Sequence, residues 1–237
     1  MTGKRHLSRL AAPRTWPIER KKTKWIARPN PGPHKLKNCM PLIVILRDIL
    51  KHANTKREIN YILNNKEVLI NKSPKKDPNY PVGLFDILEI PKLNEYYIII
   101  FNKKGKISLE KISKEDSKLR ISKITGKTTI RNGKTQVNLF DGNNYLLDKD
   151  NYKVGDSLVI DLETKKIKSH LSLEKGAVIF LIGGSHVGYV GIVKEIIRKK
   201  DLQKPKIIYE INKETHQTLR DYAFVVGKEK SLLPIKK

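Results

Sequence analysis

The chain has 237 residues, with 49 Lys or Arg against 24 Asp or Glu and a formal net charge of +25. Such an excess repels itself and adds nothing to a globular fold, so it points to a polyanionic partner, nucleic acid first and an anionic membrane second. The single cysteine, Cys39, excludes an internal disulfide framework and a cysteine-based zinc site.

Residues 1–40 are unlike the rest. Lys4, Arg5, Arg9, Arg14, Arg20, Lys21, Lys22, Lys24, Arg28, Lys35 and Lys37 face one acid, Glu19. Pro13, Pro17, Pro29, Pro31 and Pro33 interrupt any regular element. Such a stretch cannot bury a core and is expected to be disordered on its own. It nevertheless holds both tryptophans, Trp16 and Trp25. Basic residues interleaved with flat rings suit an arm that folds onto RNA, and the competing reading is that the rings pack back on a domain.

Residues 41–91 form the unit around which the chain is organised. Leu42, Ile45, Leu46, Ile49, Leu50 and Ala53 have helical spacing and predict an amphipathic helix. Thr55-Lys56-Arg57-Glu58 is a capping box that opens a second helix, with Ile59, Ile62 and Leu63 on one face and Asn64-Asn65 as the stop. Val68-Leu69-Ile70 is a short strand, a polar loop runs from Asn71 to Asn79, and Val82–Leu88 leads into a second strand. Basic residues on helix surfaces are often only a solvated face, and the charge of the whole chain weighs against that reading here.

Residues 92–171 read as β-rich. Tyr96–Phe101 is a buried strand, Lys103–Lys106 a turn and Ile107–Ile112 its return. Asn132-Gly133 is a hairpin signal, and a second hairpin joins Val137–Phe140 to Tyr145–Leu147. Leu158–Leu162 is a further strand. Short strands at this spacing predict a small barrel or curled sheet. In residues 172–227, Gly176, Gly184, Gly188 and Gly191 punctuate the strands Ala177–Ile182 and Val190–Ile196, and Ile207–Ile211 and Tyr222–Val226 complete a second barrel. Residues 228–237 are a polar tail.

Catalytic and metal patterns are missing from the sequence. The six histidines have no zinc-helix spacing, Ser185-His186 has no nucleophile elbow, and there is no Walker loop or Gly-x-Gly-x-x-Gly. Asp156 and Asp161 read as turn-forming, solvated residues. The expectation is a chain that is not an enzyme, with no cofactor and no metal. The longest apolar runs, Leu42–Leu46 and Ala177–Ile182, are too short to span a bilayer, and no charged-then-apolar leader is found; the single cysteine makes a cytoplasmic location the expectation.

Two stretches carry a family resemblance. Leu46-Arg47-Asp48, Arg57 and Val68-Leu69-Ile70-Asn71 resemble the S-four type of RNA-binding domain, with Lys72 where that family often has glycine. More specifically, Gly3–Trp16, Arg28–Leu36 and Met40–Asp48 resemble the amino-terminal part of the S-four-e family of archaeal and eukaryotic small-subunit ribosomal proteins, and the resemblance extends over essentially the whole chain. The glycine spacing resembles the KOW motif of a Src-homology-three-like barrel. Where the family reads Gly-Gly, small residue, Asn-Leu-Gly, this chain has His186 in place of the asparagine.

The resemblance implies an α+β, mostly β chain. Its parts are an extended basic arm (1–40), a two-helix-plus-sheet RNA-binding domain (41–91), a central β-barrel-like domain (92–171), a KOW-like barrel (172–227) and a tail (228–237). It implies a structural constituent of the small ribosomal subunit that binds ribosomal RNA beside neighbouring ribosomal proteins and supports assembly and translation, with no membrane and no small-molecule substrate. The candidate RNA-binding residues are Lys4, Arg5, His6, Arg9, Arg14, Trp16, Arg28, His34, Lys35 and Lys37 in the arm. In the next domain they are Arg47, Lys51, Lys56, Arg57, Lys66, Lys72, Lys75 and Lys76, and in the KOW-like loop Ser185, His186 and Tyr189. Two rivals remain: a KOW-containing transcription or translation factor, which leaves the basic arm unexplained, and an accessory or RNA-modifying enzyme with an S-four domain, which lacks room for a catalytic domain.

Overall fold

In the computed structural model, residues 6–130, 133–147, 151–197, 204–228 and 231–232 are described. The chain divides into a first unit, Met1–Ile100 with Lys106–Ser117, and a second, Phe101–Gly105 with Lys118–Lys237.

The first unit begins with a two-residue hairpin, β1 (Leu7–Ser8) against β2 (Trp25–Ile26). β3 (Cys39–Pro41) leads directly into a short helix, α1 (Leu42–Val44), which widens into a π-helical turn over Ile45–Ile49. Leu42 to Leu46 are all buried, so this helix is apolar on every side rather than along one stripe. The predicted run to Ala53 stops earlier. Leu50 N–H donates to the Ile45 carbonyl at 2.9 Å and Lys51 turns to φ +58°, although Ala53 is still buried. The capping box forms as expected. Thr55 Oγ1 accepts from Glu58 N–H at 3.3 Å, and the Glu58 carboxylate accepts from Asn54 N–H at 2.9 Å. It opens α2 (Lys56–Asn64), which buries Ile59 and Leu63.

β4 (Leu69–Ile70) and β5 (Ser73–Pro74) form a tight hairpin, with Asn71 and Lys72 both at positive φ, +51° and +61°. Two consecutive left-handed residues are what a two-residue hairpin turn requires. Lys72 therefore adopts the conformation for which glycine is the usual choice. β6 (Pro81–Gly83) pairs with β3, and β7 (Ile87–Ile90) pairs with β4 and β8 (Glu95–Phe101). β9 (Ile107–Lys111) completes a sheet ordered β5-β4-β7-β8-β9. The sequence places Tyr96–Phe101 and Ile107–Ile112 with the central β region from residue 92 onward. Here they extend the sheet of the first unit, because Ile98 pairs with Ile87 across a connection of one 3₁₀ turn. Local strand propensity does not say which sheet a strand joins.

The second unit holds two antiparallel sheets. The first, β12-β11-β10-β13-β14, is built from β10 (Leu119–Thr129), β11 (Thr135–Leu139), β12 (Asn144–Leu147), β13 (Ser157–Asp161) and β14 (Ile167–Leu171). Ile124, Val137, Leu139, Leu158 and Ile160 form its core. β10 and β11 pair antiparallel and Gly133 is at φ +70°; the predicted hairpin signal at Asn132-Gly133 includes Asn132, which with Arg131 lies outside the described residues. The second sheet, β18-β17-β16-β15-β19, uses β15 (Val178–Leu181), β16 (Val190–Ile197), β17 (Lys206–Ile211), β18 (Glu214–Leu219) and β19 (Ala223–Gly227). Its last strand returns beside its first, and β15 and β19 are buried throughout.

The two sheets meet at a polar anchor. Lys123 on β10 donates to the carbonyls of Arg220, Asp221 and Ala223 at 3.1, 2.9 and 2.6 Å. Burial pushes its pKa down to about 8, opposed by the charge of Asp221. Arg120 on the same strand is buried against Asp141 at 2.6 Å. Asp156 is turn-forming, as expected, but it is buried rather than solvated. It accepts from Lys153 and Leu173 N–H and lies 2.7 Å from His170 Nε2.

Candidate nucleic-acid interface

The basic residues of the first unit fall into two sets. Arg9, Trp16 and His34, all candidates for RNA contact, are buried. Arg9 donates to Thr23 Oγ1 at 2.7 Å and to the Glu19 carbonyl. The Trp16 indole N–H donates to the Cys39 carbonyl at 2.7 Å. His34 Nε2 lies 2.9 Å from Asp86 Oδ2, a carboxylate that also accepts from Gly83 N–H and Asn71 Nδ2. A Cβ on Gly83 would come within 2.2 Å of the His34 ring, so the imidazole is seated against bare backbone. These three side chains are buried and bonded within the fold. For the same reason residues 6–40 are not a free arm. They have little regular structure, but Trp16, His34 and the Asn30–Asp77 hydrogen bond of 2.7 Å fasten them to the domain. Arg20 is a structural residue the sequence reading missed; its guanidinium donates to the carbonyls of Ala12 and Pro13 at 2.8 and 2.7 Å.

The second set is exposed. His6, Arg14, Arg28, Lys35 and Lys37 are open to solvent in the amino-terminal segment, as are Lys51, Lys56, Arg57, Lys66 and Lys76 in the helical part. Among the described residues none of these side chains makes an ion pair within 4.0 Å, whereas Lys72 is held by Glu89 at 3.0 Å and Arg47 by Asp48 at 2.8 Å. Lys75 is half-buried over the Tyr80 ring at 4.9 Å. Arg57 and Tyr61 stand one turn apart on α2, away from the buried Ile59 and Leu63, and Tyr61 is 70% exposed. Lys4 and Arg5 lie outside the described residues.

In the second unit the loop between β15 and β16 carries Ser185, His186 and Tyr189. Gly188 adopts φ +82°, and a Cβ there would sit 2.2 Å from the Asn102 carbonyl oxygen, so glycine is required on both counts. His186 stands 3.0 Å from the Tyr209 hydroxyl, and its ring lies 4.3 Å from that of His216 and 5.8 Å from that of Tyr189. Lys103 lies over Tyr189 at 5.6 Å. Burial pushes the Tyr209 hydroxyl pKa up, so it is a neutral partner for the imidazole. Ser185 Oγ lies 3.3 Å from the same His186 Nδ1, a long contact shared with Tyr209 and not an activated hydroxyl. The loop offers rings and hydrogen-bonding groups at the surface, with His186 tied to Tyr209 in this chain.

Cys39 is buried, and burial with the nearby Asp86 charge pushes its thiol up to about 12, which makes it inert. Among the described residues no group of three or more His, Cys, Asp or Glu is placed to hold a metal ion, and no helix is long and apolar enough to cross a membrane.

Comparison with known proteins decides the family. The chain is 43% identical over 220 residues to the small ribosomal subunit protein eS4 of Nanoarchaeum equitans, an alignment covering 92% of this chain and 93% of that protein. It is 38% identical over 236 residues to the eS4 of Methanothermobacter thermautotrophicus, covering 99% and 97%. The chain belongs to the eS4 family. The family model for ribosomal family S4e matches residues 93–167, and that of the RS4NT (NUC023) domain matches residues 1–37. The crystal structure of the 30S ribosomal protein S4e from Thermoplasma acidophilum is 26% identical, with a TM-score of 0.71, covering 83% of this chain and 99% of that one. eS4 proteins are ribosomal proteins and not enzymes, in agreement with the missing catalytic patterns. The RS4NT match includes the described residues 6–37, which Trp16 and His34 fasten to the domain although they are poor in regular structure.

Proposed function

We propose that this eS4 chain, as a structural constituent of the small ribosomal subunit, binds ribosomal RNA through the outward set of cations and supports assembly and translation. The observation that carries this reading is their lack of partners. Lys51, Lys56, Arg57, Lys66 and Lys76 remain exposed and, among the described residues, make no ion pair, while other basic residues of the same unit are paired. Each such charge that meets a phosphate releases a counterion, which is a favourable entropy that an internal ion pair would forfeit. Lysine and arginine contacts to phosphate position the protein, and the shape of the folded RNA supplies selectivity. Arg57 and Tyr61 on α2 form the centre of the contact. Arg14, Arg28, Lys35 and Lys37 extend it, and Ser185, His186 and Tyr189 provide a second contact on the other unit.

The test is sucrose-gradient fractionation of a tagged chain from cells at moderate and at high salt. Comigration with the small subunit, lost only at high salt, is expected. Residence in the light fractions at both salts would contradict a stable structural role.

A further inference from the structure

The first unit has a cleft of ≈ 760 Å³ to which the phosphate contacts assign no occupant. That volume lies within the range of sites that enclose a small organic group. Trp25 lines it and is 52% exposed, although the next residue of β2, Ile26, is buried. An indole left open in a concave wall is a surface without its partner. The ammonium of Lys24 lies 5.1 Å from the Trp25 ring centroid, and the His6 ring is 5.6 Å away at a tilt of 48°. Lys51 also lines the cleft, as do Glu19 and Lys22, which pair with each other at 3.6 Å. So does the Arg47–Asp48 pair, whose two hydrogen bonds of 2.8 and 3.2 Å hold the carboxylate in place. The Asp48 carboxylate keeps further acceptor lone pairs beyond the two it gives to Arg47.

Flat ring, ammonium groups and a fixed carboxylate together match one chemistry: a heterocyclic base with N–H donors on its edge and a phosphate on its flank. A base inside a duplex presents neither its face nor its edge. We propose that this cleft takes a single unpaired nucleotide of RNA, with the base stacked on Trp25, its edge toward Asp48 and its phosphate toward Lys51, which makes no ion pair among the described residues. The site rests on the RNA-binding reading and adds to it a preference for bulged or extruded nucleotides.

The experiment uses the full chain and two RNA probes at one fixed salt: a blunt duplex, and the same duplex with one extra unpaired guanosine in mid-strand. Trp16 is buried, so it gives a constant emission background and changes in tryptophan fluorescence report on Trp25. The bulged duplex is expected to quench the emission and to bind roughly ten- to a hundredfold more tightly than the blunt one, the range of one base–aromatic stack. Trp25→Ala should abolish that preference, and Trp25→Phe should retain most of it. Equal binding of both duplexes with unmoved emission overturns the proposal and leaves the phosphate-binding reading standing. Failure to bind either duplex overturns both. Quenching by poly-glutamate as strong as that by the bulged RNA would assign the cleft to acidic peptides and also overturn the proposal.

Discussion

The outer face of α2 and the seam between β10 and β19 use positive charge in opposite ways. Along β10, Arg120 is buried against Asp141, and at the seam Lys123 donates to three backbone carbonyls. On α2, Lys56 and Arg57 are exposed and, among the described residues, without a carboxylate. The lesson is that a net charge of +25 does not by itself describe an interface. What describes it is which cations the fold has left without a partner. The same sorting separates the two tryptophans, one hydrogen-bonded in the core and the other open in a cleft.

The contrast can be broken most forcefully at the seam. Arg120→Met leaves the Asp141 carboxylate buried beside an apolar chain, and the second unit should lose about 3–5 kcal/mol, read as a fall in its urea midpoint. Lys123 is next. Its pKa is held near 8 in the folded chain and rises to the ordinary lysine range on unfolding. The unfolded state therefore binds more protons between those two values, and stability rises with pH across that window. Wild type should gain about 2 kcal/mol relative to Lys123→Met between roughly pH 7 and pH 10, measured by urea titration at each pH. Parallel pH profiles for the two proteins would show that Lys123 is charged in both states. A smaller effect is expected at the α2 cap, where Thr55→Ala should cost about 1 kcal/mol in the first unit. Lys56→Ala, one residue further, should change stability by less than about 0.5 kcal/mol.

The sequence reading of local elements agrees with the fold wherever the signal is local. Thr55 and Glu58 cap α2 as their spacing requires, the hydrophobic runs at 98–101, 158–160, 178–181 and 207–211 are strands, and the glycine at 188 is demanded by its backbone. The reading fails where the partner is distant. Nothing near His34 announces Asp86, 52 residues on, and nothing near Trp16 announces the Cys39 carbonyl. Arginine, histidine and tryptophan serve equally well as RNA ligands and as anchors of an irregular segment, so composition alone cannot separate Arg9 from Arg14. Trp25, the ring left exposed, has no local mark that distinguishes it from Trp16. The π-helical turn at Ile45–Ile49 is likewise invisible in the apolar spacing, because an i→i−5 bond such as Leu50 N–H to the Ile45 carbonyl leaves the sequence pattern unchanged.

The most direct test of the sorting is the salt dependence of binding to small-subunit ribosomal RNA, measured for wild type and for a chain with Lys56, Arg57 and Lys76 changed to alanine. Each lost phosphate contact lowers the slope of log affinity against log salt by about 0.7 to 1. The account predicts a slope shallower by about two to three and an unchanged urea midpoint. An unchanged slope would mean that these exposed cations do not meet phosphate, and would contradict it.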